Sequence, residues 1–182
     1  MNARLLVFPL MVLVFLLSGC AGTIGPERNL NDPTNSLVFA FVDMKDAPTK
    51  VDGASLKPQG EEGYWHMSVE DGLMYQQYLP LGSYQLATLS GSGFFKGNYV
   101  YTFPAYGKNQ SAIRIQKPGI YFLGSFRYKE VKTGLLEAGK FDIERAGVPT
   151  EAELLERIRK LKWVKGTQYE SRISSRLAEI RK

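Results

Sequence analysis

The stretch "YWHMSVEDGLMYQQYL", residues 64 to 79, decides the fold. Asp71-Gly72 stands near its centre. A two-residue type I′ turn needs positive φ at both central positions, which Gly adopts freely and Asp at small cost. Folding the chain about that pair sets Val69 opposite Met74, Met67 opposite Gln76 and Trp65 opposite Tyr78. Those positions share one largely apolar face, with Gln76 as the exception. Ser68 with Tyr75, and His66 with Gln77, share the more polar face. Both arms agree on one register, which predicts an antiparallel hairpin.

The same grammar continues on either side. Upstream, Leu37 to Val42 is apolar at every position, as suits a central strand covered on both faces. Downstream, "LPLGSYQLATLSG" gives a turn over Pro80 to Gly82 and a strand from about Ser83 to Leu89. Further strands are expected over Tyr99 to Phe103 and Ala112 to Gln116. Another is launched by Pro118-Gly119 and runs to about Val131, and a last one covers Phe141 to Glu144. Turns recur at roughly ten-residue spacing, with aromatic and β-branched residues between them, which predicts a mainly β fold, an antiparallel sandwich or barrel.

The period changes after Pro149. Thr150 and Glu153 form a Thr-x-x-Glu capping box, and Leu154, Ile158 and Leu161 follow at helical spacing. Gly166 interrupts. Thr167 and Glu170 form a second box, followed by Tyr169, Ile173, Leu177 and Ile180. Two C-terminal amphipathic α-helices are expected, each needing an apolar surface or a partner to cover its stripe. The chain thus divides into residues 1–19, an apolar leader; 20–35, a Gly-, Pro- and Asn-rich tether; 36–145, the β domain; and 149–182, a helical hairpin.

Catalytic constellations are scarce. His66 is the only histidine and Cys20 the only cysteine, so neither a His-based triad nor a zinc site is expected. The acids Asp43, Asp46, Asp52, Glu61 and Glu62 lack calcium-loop spacing. "SGSGFFKG", residues 90 to 97, misses the phosphate-loop spacing by one residue. Its adjacent aromatics, Phe94 and Phe95, are candidate partner contacts. No cofactor, no metal and no enzymatic activity are expected. An unrecognised envelope hydrolase would require acids from separate turns to converge in one cleft.

The 182 residues carry a formal charge of +5, and between Glu151 and Lys182 nine basic residues face five acidic ones. This basic tail makes Arg157, Arg159 and Lys160 further candidate contacts, toward anionic lipid or an acidic envelope component rather than nucleic acid.

At the other end, Arg4 precedes thirteen uncharged, mostly aliphatic residues, Leu5 to Leu17. That is too short to span about 30 Å of hydrocarbon, and it has the form of a signal segment. Leu17-Ser18-Gly19-Cys20 resembles the lipobox of bacterial lipoproteins. The resemblance implies a diacylglyceryl group on the Cys20 sulfur, cleavage before Cys20 and acylation of the new amino group. It also implies outer-membrane sorting with the body facing the periplasm, because Ala21 rather than Asp follows. Two or three acyl chains hold firmly where one holds marginally.

The pattern of "LPLGSYQL" and "KPGIYFLGSF", a Gly turn launching an aromatic-rich strand, is similar to transthyretin-like and carboxypeptidase-regulatory-like sandwiches. That resemblance implies an Ig-like or transthyretin-like sandwich acting as a non-catalytic binding or structural module in the cell envelope. The alternative is an accessory factor for an outer-membrane transport or secretion machine.

Overall fold

A computed structural model describes residues 28–47, 50–93, 97–103, 111–130 and 142–182. The signal segment, Cys20, Phe94, Phe95 and Phe141 lie outside the described residues. Strands β1 (Ser36–Asp43), β2 (Gly53–Pro58), β3 (Trp65–Glu70), β4 (Leu73–Leu79), β5 (Gly82–Gly93), β6 (Gly97–Thr102), β7 (Ala112–Ile115), β8 (Ile120–Lys129) and β9 (Asp142–Ala146) precede helices α1 (Glu151–Arg159) and α2 (Gln168–Ile180).

The hairpin turns where its sequence directs. Asp71 has φ 47° and Gly72 φ 79°, both positive as a type I′ turn requires. A Cβ on Gly72 would lie 2.4 Å from the Val42 carbonyl oxygen, so the position also needs glycine for space. Pairing follows the expected register over Ser68↔Tyr75, Val69↔Met74 and Glu70↔Leu73. There it parts from expectation. Trp65, His66 and Met67 leave β4 and pair instead with Leu56, Ser55 and Ala54 of β2. Gln76 fills the opening. Its Nε2 donates to the His66 carbonyl at 2.6 Å, and its Oε1 accepts from the Tyr78 N–H at 3.0 Å. The polar exception on the apolar face is thus the plug of a split in the ladder.

β2, "GASLKP", lies outside the expected strands, because Gly, Ser, Lys and Pro have weak strand preference. It is nonetheless central, paired with both β3 and β5. The full order is β6-β5-β2-β3-β4-β1-β8-β9, with β7 lying beside the first half of β5. The expectation of a mainly β body followed by two helices holds at that level. The strands, however, form one continuous sheet curled into a nearly closed barrel. Its first and last strands approach where Tyr101 of β6 donates to Asp142 Oδ1 of β9 at 3.4 Å, and beside them Phe103, just past β6, meets Phe126 of β8 edge-on at 5.7 Å. Nor is the sheet wholly antiparallel: β1 runs parallel to β8. The long excursion from β1 to β8 allows this, since a parallel pair needs a crossover rather than a tight turn. A register shift between Phe39 and Phe41 marks a bulge on β8, where Gly124 adopts φ 121°.

β1 is covered on both faces, as its unbroken apolar run predicts. Val38, Ala40 and Val42 point into the barrel with Leu56, Met74, Leu86 and Leu123. Leu37 and Phe39 point outward, and with Leu73 and Tyr75 they pack beneath Leu154, Leu155 and Ile158 of α1 and Tyr169, Ile173 and Leu177 of α2. Each fully buried aliphatic or aromatic side chain contributes about 1.5–3 kcal/mol, so the helices are integral to the fold. Thr150 caps α1 in a complete capping box with Glu153. The second box does not form. Thr167 Oγ1 accepts from Tyr169 N, while Glu170 Oε2 reaches Gly166 N at 3.0 Å. Among the described residues no helix is long and apolar enough to cross a membrane.

Candidate functional site

The helical side of the barrel gathers most of the residues singled out by sequence. Its first feature was unexpected. Leu30 to Asn35, read as part of a loose tether, are fastened to the first turns of α2. Gln168 Nε2 donates to the carbonyls of Leu30 at 2.9 Å and Asp32 at 2.5 Å, and the Gln168 N–H donates to Asn31 Oδ1. Arg172 continues the clamp, donating to the carbonyls of Asn35 at 2.8 Å and Pro33 at 2.9 Å. Local bonds stiffen the arm itself. Asp32 Oδ1 accepts from the N–H and hydroxyl of Thr34, which hold its carboxyl below its usual pKa. Arg28, the first described residue, lies over the Tyr78 ring.

The three basic candidates separate. Arg157 serves the fold: its Nη2 donates to the Asp71 carbonyl at 3.2 Å, and its guanidinium lies over the Phe41 ring. Arg159 is bound to Glu156 at 2.6 Å. Lys160, the C-cap residue of α1, is exposed and keeps its ammonium group unpaired among the described residues.

Carboxylates along the rest of the basic tail are bound in the same manner. Glu151 and Glu179 bind Arg176, whose guanidinium is held charged beyond its usual range chiefly by the Glu151 bond. Glu156 binds both Arg159 and Arg181. Glu153 is committed to Thr150, which lowers its pKa, and Glu170 to Gly166. Every acid of the helical region is therefore engaged. Lys160, Lys162, Lys165 and Lys182 remain exposed and without an ion-pair partner among the described residues. The first three belong to the segment joining α1 to α2. Trp163 lies between them, half-buried and stacked on Tyr75 with ring centroids 5.5 Å apart.

Two other places could hold ligands. On the outer face of the sheet, a cavity of about 540 Å³ is lined by Asp52, Ser55, Tyr64, His66, Thr88 and Ser90. Ser55 and Thr88 share a 2.6 Å hydroxyl contact. His66 is exposed, and its ring has no hydrogen-bond partner among the described residues, so nothing there orients it as a general base. At one mouth of the barrel, Asp43, Asp52 and Asp71 line a cleft of about 460 Å³ together with Lys45, Lys50 and an apolar floor including Met44, Val51 and Val69. Acids from separate turns do meet here, interleaved with cations. Asp43 Oδ1 accepts from the Lys45 N–H. Among the described residues no three His, Cys, Asp or Glu side chains could share a metal ion. The cleft therefore brings carboxylates, ammonium groups and an apolar floor together, the convergence of acids that the hydrolase alternative requires.

No family model matches the chain, and no curated protein matches it. Among solved structures, a leucine-rich repeat protein from Bacteroides thetaiotaomicron VPI-5482 aligns at a TM-score of 0.35 and 11% identity, over 52% of this chain and 12% of that one. The chain therefore spans about an eighth of that protein, and a likeness so low carries no argument.

Proposed function

We propose that this protein is a lipid-anchored module of the cell envelope that binds a partner or an envelope component and performs no catalysis. One observation carries the reading: the apolar run Leu5 to Leu17 closes on Leu17-Ser18-Gly19-Cys20, and the chain holds no other cysteine. Ala21 favours the outer membrane, with the body in the periplasm. The finer likeness to transthyretin-like and carboxypeptidase-regulatory-like sandwiches belongs to the same proposal, supported by Gly82 and Pro118-Gly119 at the starts of β5 and β8. So does the expectation that binding, rather than a reaction, is the task.

The test is chemical. Labelled palmitate should enter the wild-type chain and not Cys20→Ser, and the variant should fail to mature to the size of the processed chain. Label in the variant, or none in the wild type, removes the anchor. The partner is sought by crosslinking in intact envelopes followed by mass spectrometry. Point variants suit this better than removal of Arg157 to Lys182, because that segment buries Ile158, Val164, Tyr169, Ile173 and Leu177.

A further inference from the structure

We propose that the connection between α1 and α2, Lys160 to Gly166, is the surface on which the domain lies against a bilayer bearing anionic phospholipid headgroups. The inference rests on the lipid anchor proposed above and adds an orientation to it. Three observations converge on this segment.

The first is where the chain comes from. Leu30, Asn31 and Asp32 are bonded to Gln168, so the route to Cys20 leaves the domain beside the start of α2. Lys165 is three residues before that glutamine. Nine residues separate Cys20 from Leu30, a span of at most about 35 Å even at full extension. An anchor at Cys20 would hold this side of the molecule, and not the opposite face of the barrel, next to the lipid.

The second is charge. The acids of the helical region are all bonded to arginines, a backbone amide or the Thr150 cap. Of the lysines of this region left without an acid partner, Lys160, Lys162 and Lys165 lie within six residues of one another on one connection, and Lys182 stands apart beyond the end of α2. Lysine is a strongly hydrated point charge suited to a diffuse anionic surface, where arginine suits a planar bidentate partner. Each lysine beside such a surface strengthens adsorption about fivefold, and three together by ~100-fold, at physiological ionic strength.

The third is rigidity. The connection is pinned from beneath by Val164, which is buried, and by Trp163 stacked on Tyr75 and meeting Tyr169 edge-on. The three ammonium groups therefore ride on a fixed platform.

Trp163 also supplies the readout. The full chain carrying Trp65→Phe keeps Trp163 as its only tryptophan. It is reconstituted in vesicles of phosphatidylcholine alone or with about one-third phosphatidylglycerol, each containing a headgroup spin-labelled lipid, and Trp163 fluorescence quenching is measured. Quenching should be strong on the anionic vesicles. It should fall severalfold on neutral ones, in about 0.5 M salt, and in K160Q/K162Q/K165Q. Equal quenching on both lipids, or an unchanged signal in the triple variant, overturns the proposal. Loss of an envelope-protein crosslink in the triple variant with no lipid dependence does so too, and assigns the lysines to an acidic partner. Flotation of wild type against Cys20→Ser with neutral vesicles judges the anchor separately. The quenching is read on anionic vesicles whatever that result.

Discussion

Gln76 shows what one residue decides. Its side chain replaces two ladder bonds at the point where β3 exchanges partners, and it is almost wholly buried. Gln76→Leu keeps the volume but strands the His66 carbonyl and the Tyr78 N–H, each costing about 1–3 kcal/mol. Urea unfolding should show a loss of about 2–6 kcal/mol; a loss below about 0.5 kcal/mol would mean that the split in the ladder needs no plug. Sequence marked Gln76 as anomalous but could not say why, because the cause is the departure of Trp65 to Met67 toward β2. Asp71-Gly72 was legible for the opposite reason: the turn's demands fall on those two residues alone.

Among elements, legibility followed locality. The α1 cap and most of both helical stripes lie within a few turns of chain and are legible there, although Leu161 falls beyond α1 and Ile180 is exposed. β2 was invisible because β3 and β5 supply the pairing that its own residues do not favour. The split between fold-serving arginines and unpaired lysines was hidden in the same way, since Glu156 finds Arg181 only after the chain reverses. The arm on α2 gives a test at this scale. Gln168→Ala combined with Arg172→Ala removes four of the bonds to the Leu30–Asn35 backbone while sparing the buried stripe of Tyr169, Ile173 and Leu177. Amide exchange over residues 30–35 should accelerate at least tenfold, with exchange in β1 unchanged. If β1 accelerates equally, the arm is part of the core rather than strapped to it.

At the scale of the whole molecule, the barrel and its helical cover both rest on buried tyrosines. Burial raises the pKa of Tyr169 far above its ordinary value of 10.0, and raises those of Tyr75, Tyr84 and Tyr101 as well. Glu70 adds to the effect at Tyr75, Glu61 at Tyr84 and Asp142 at Tyr101. A raised folded-state pKa means that the native protein holds its proton more tightly than the unfolded chain. Stability from this source is complete below about pH 10 and declines as pH rises beyond it. Urea midpoints should stay level with respect to these groups up to that pH and fall above it, and Tyr169→Phe should fall less steeply. A wild-type curve flat to pH 11.5 would refute this. The closure of the barrel itself escaped sequence reading, because it joins Tyr101 to a residue forty-one positions away. The arm reaches further still, meeting partners 136 to 139 positions later in the chain. A chain threading outward with its first residues leading therefore cannot complete its structure until the last helix has emerged. β1 lacks its parallel neighbour until β8 has emerged, and its helical roof until α1 and α2 follow, so under the export route proposed above the domain would lock only after its far end has cleared.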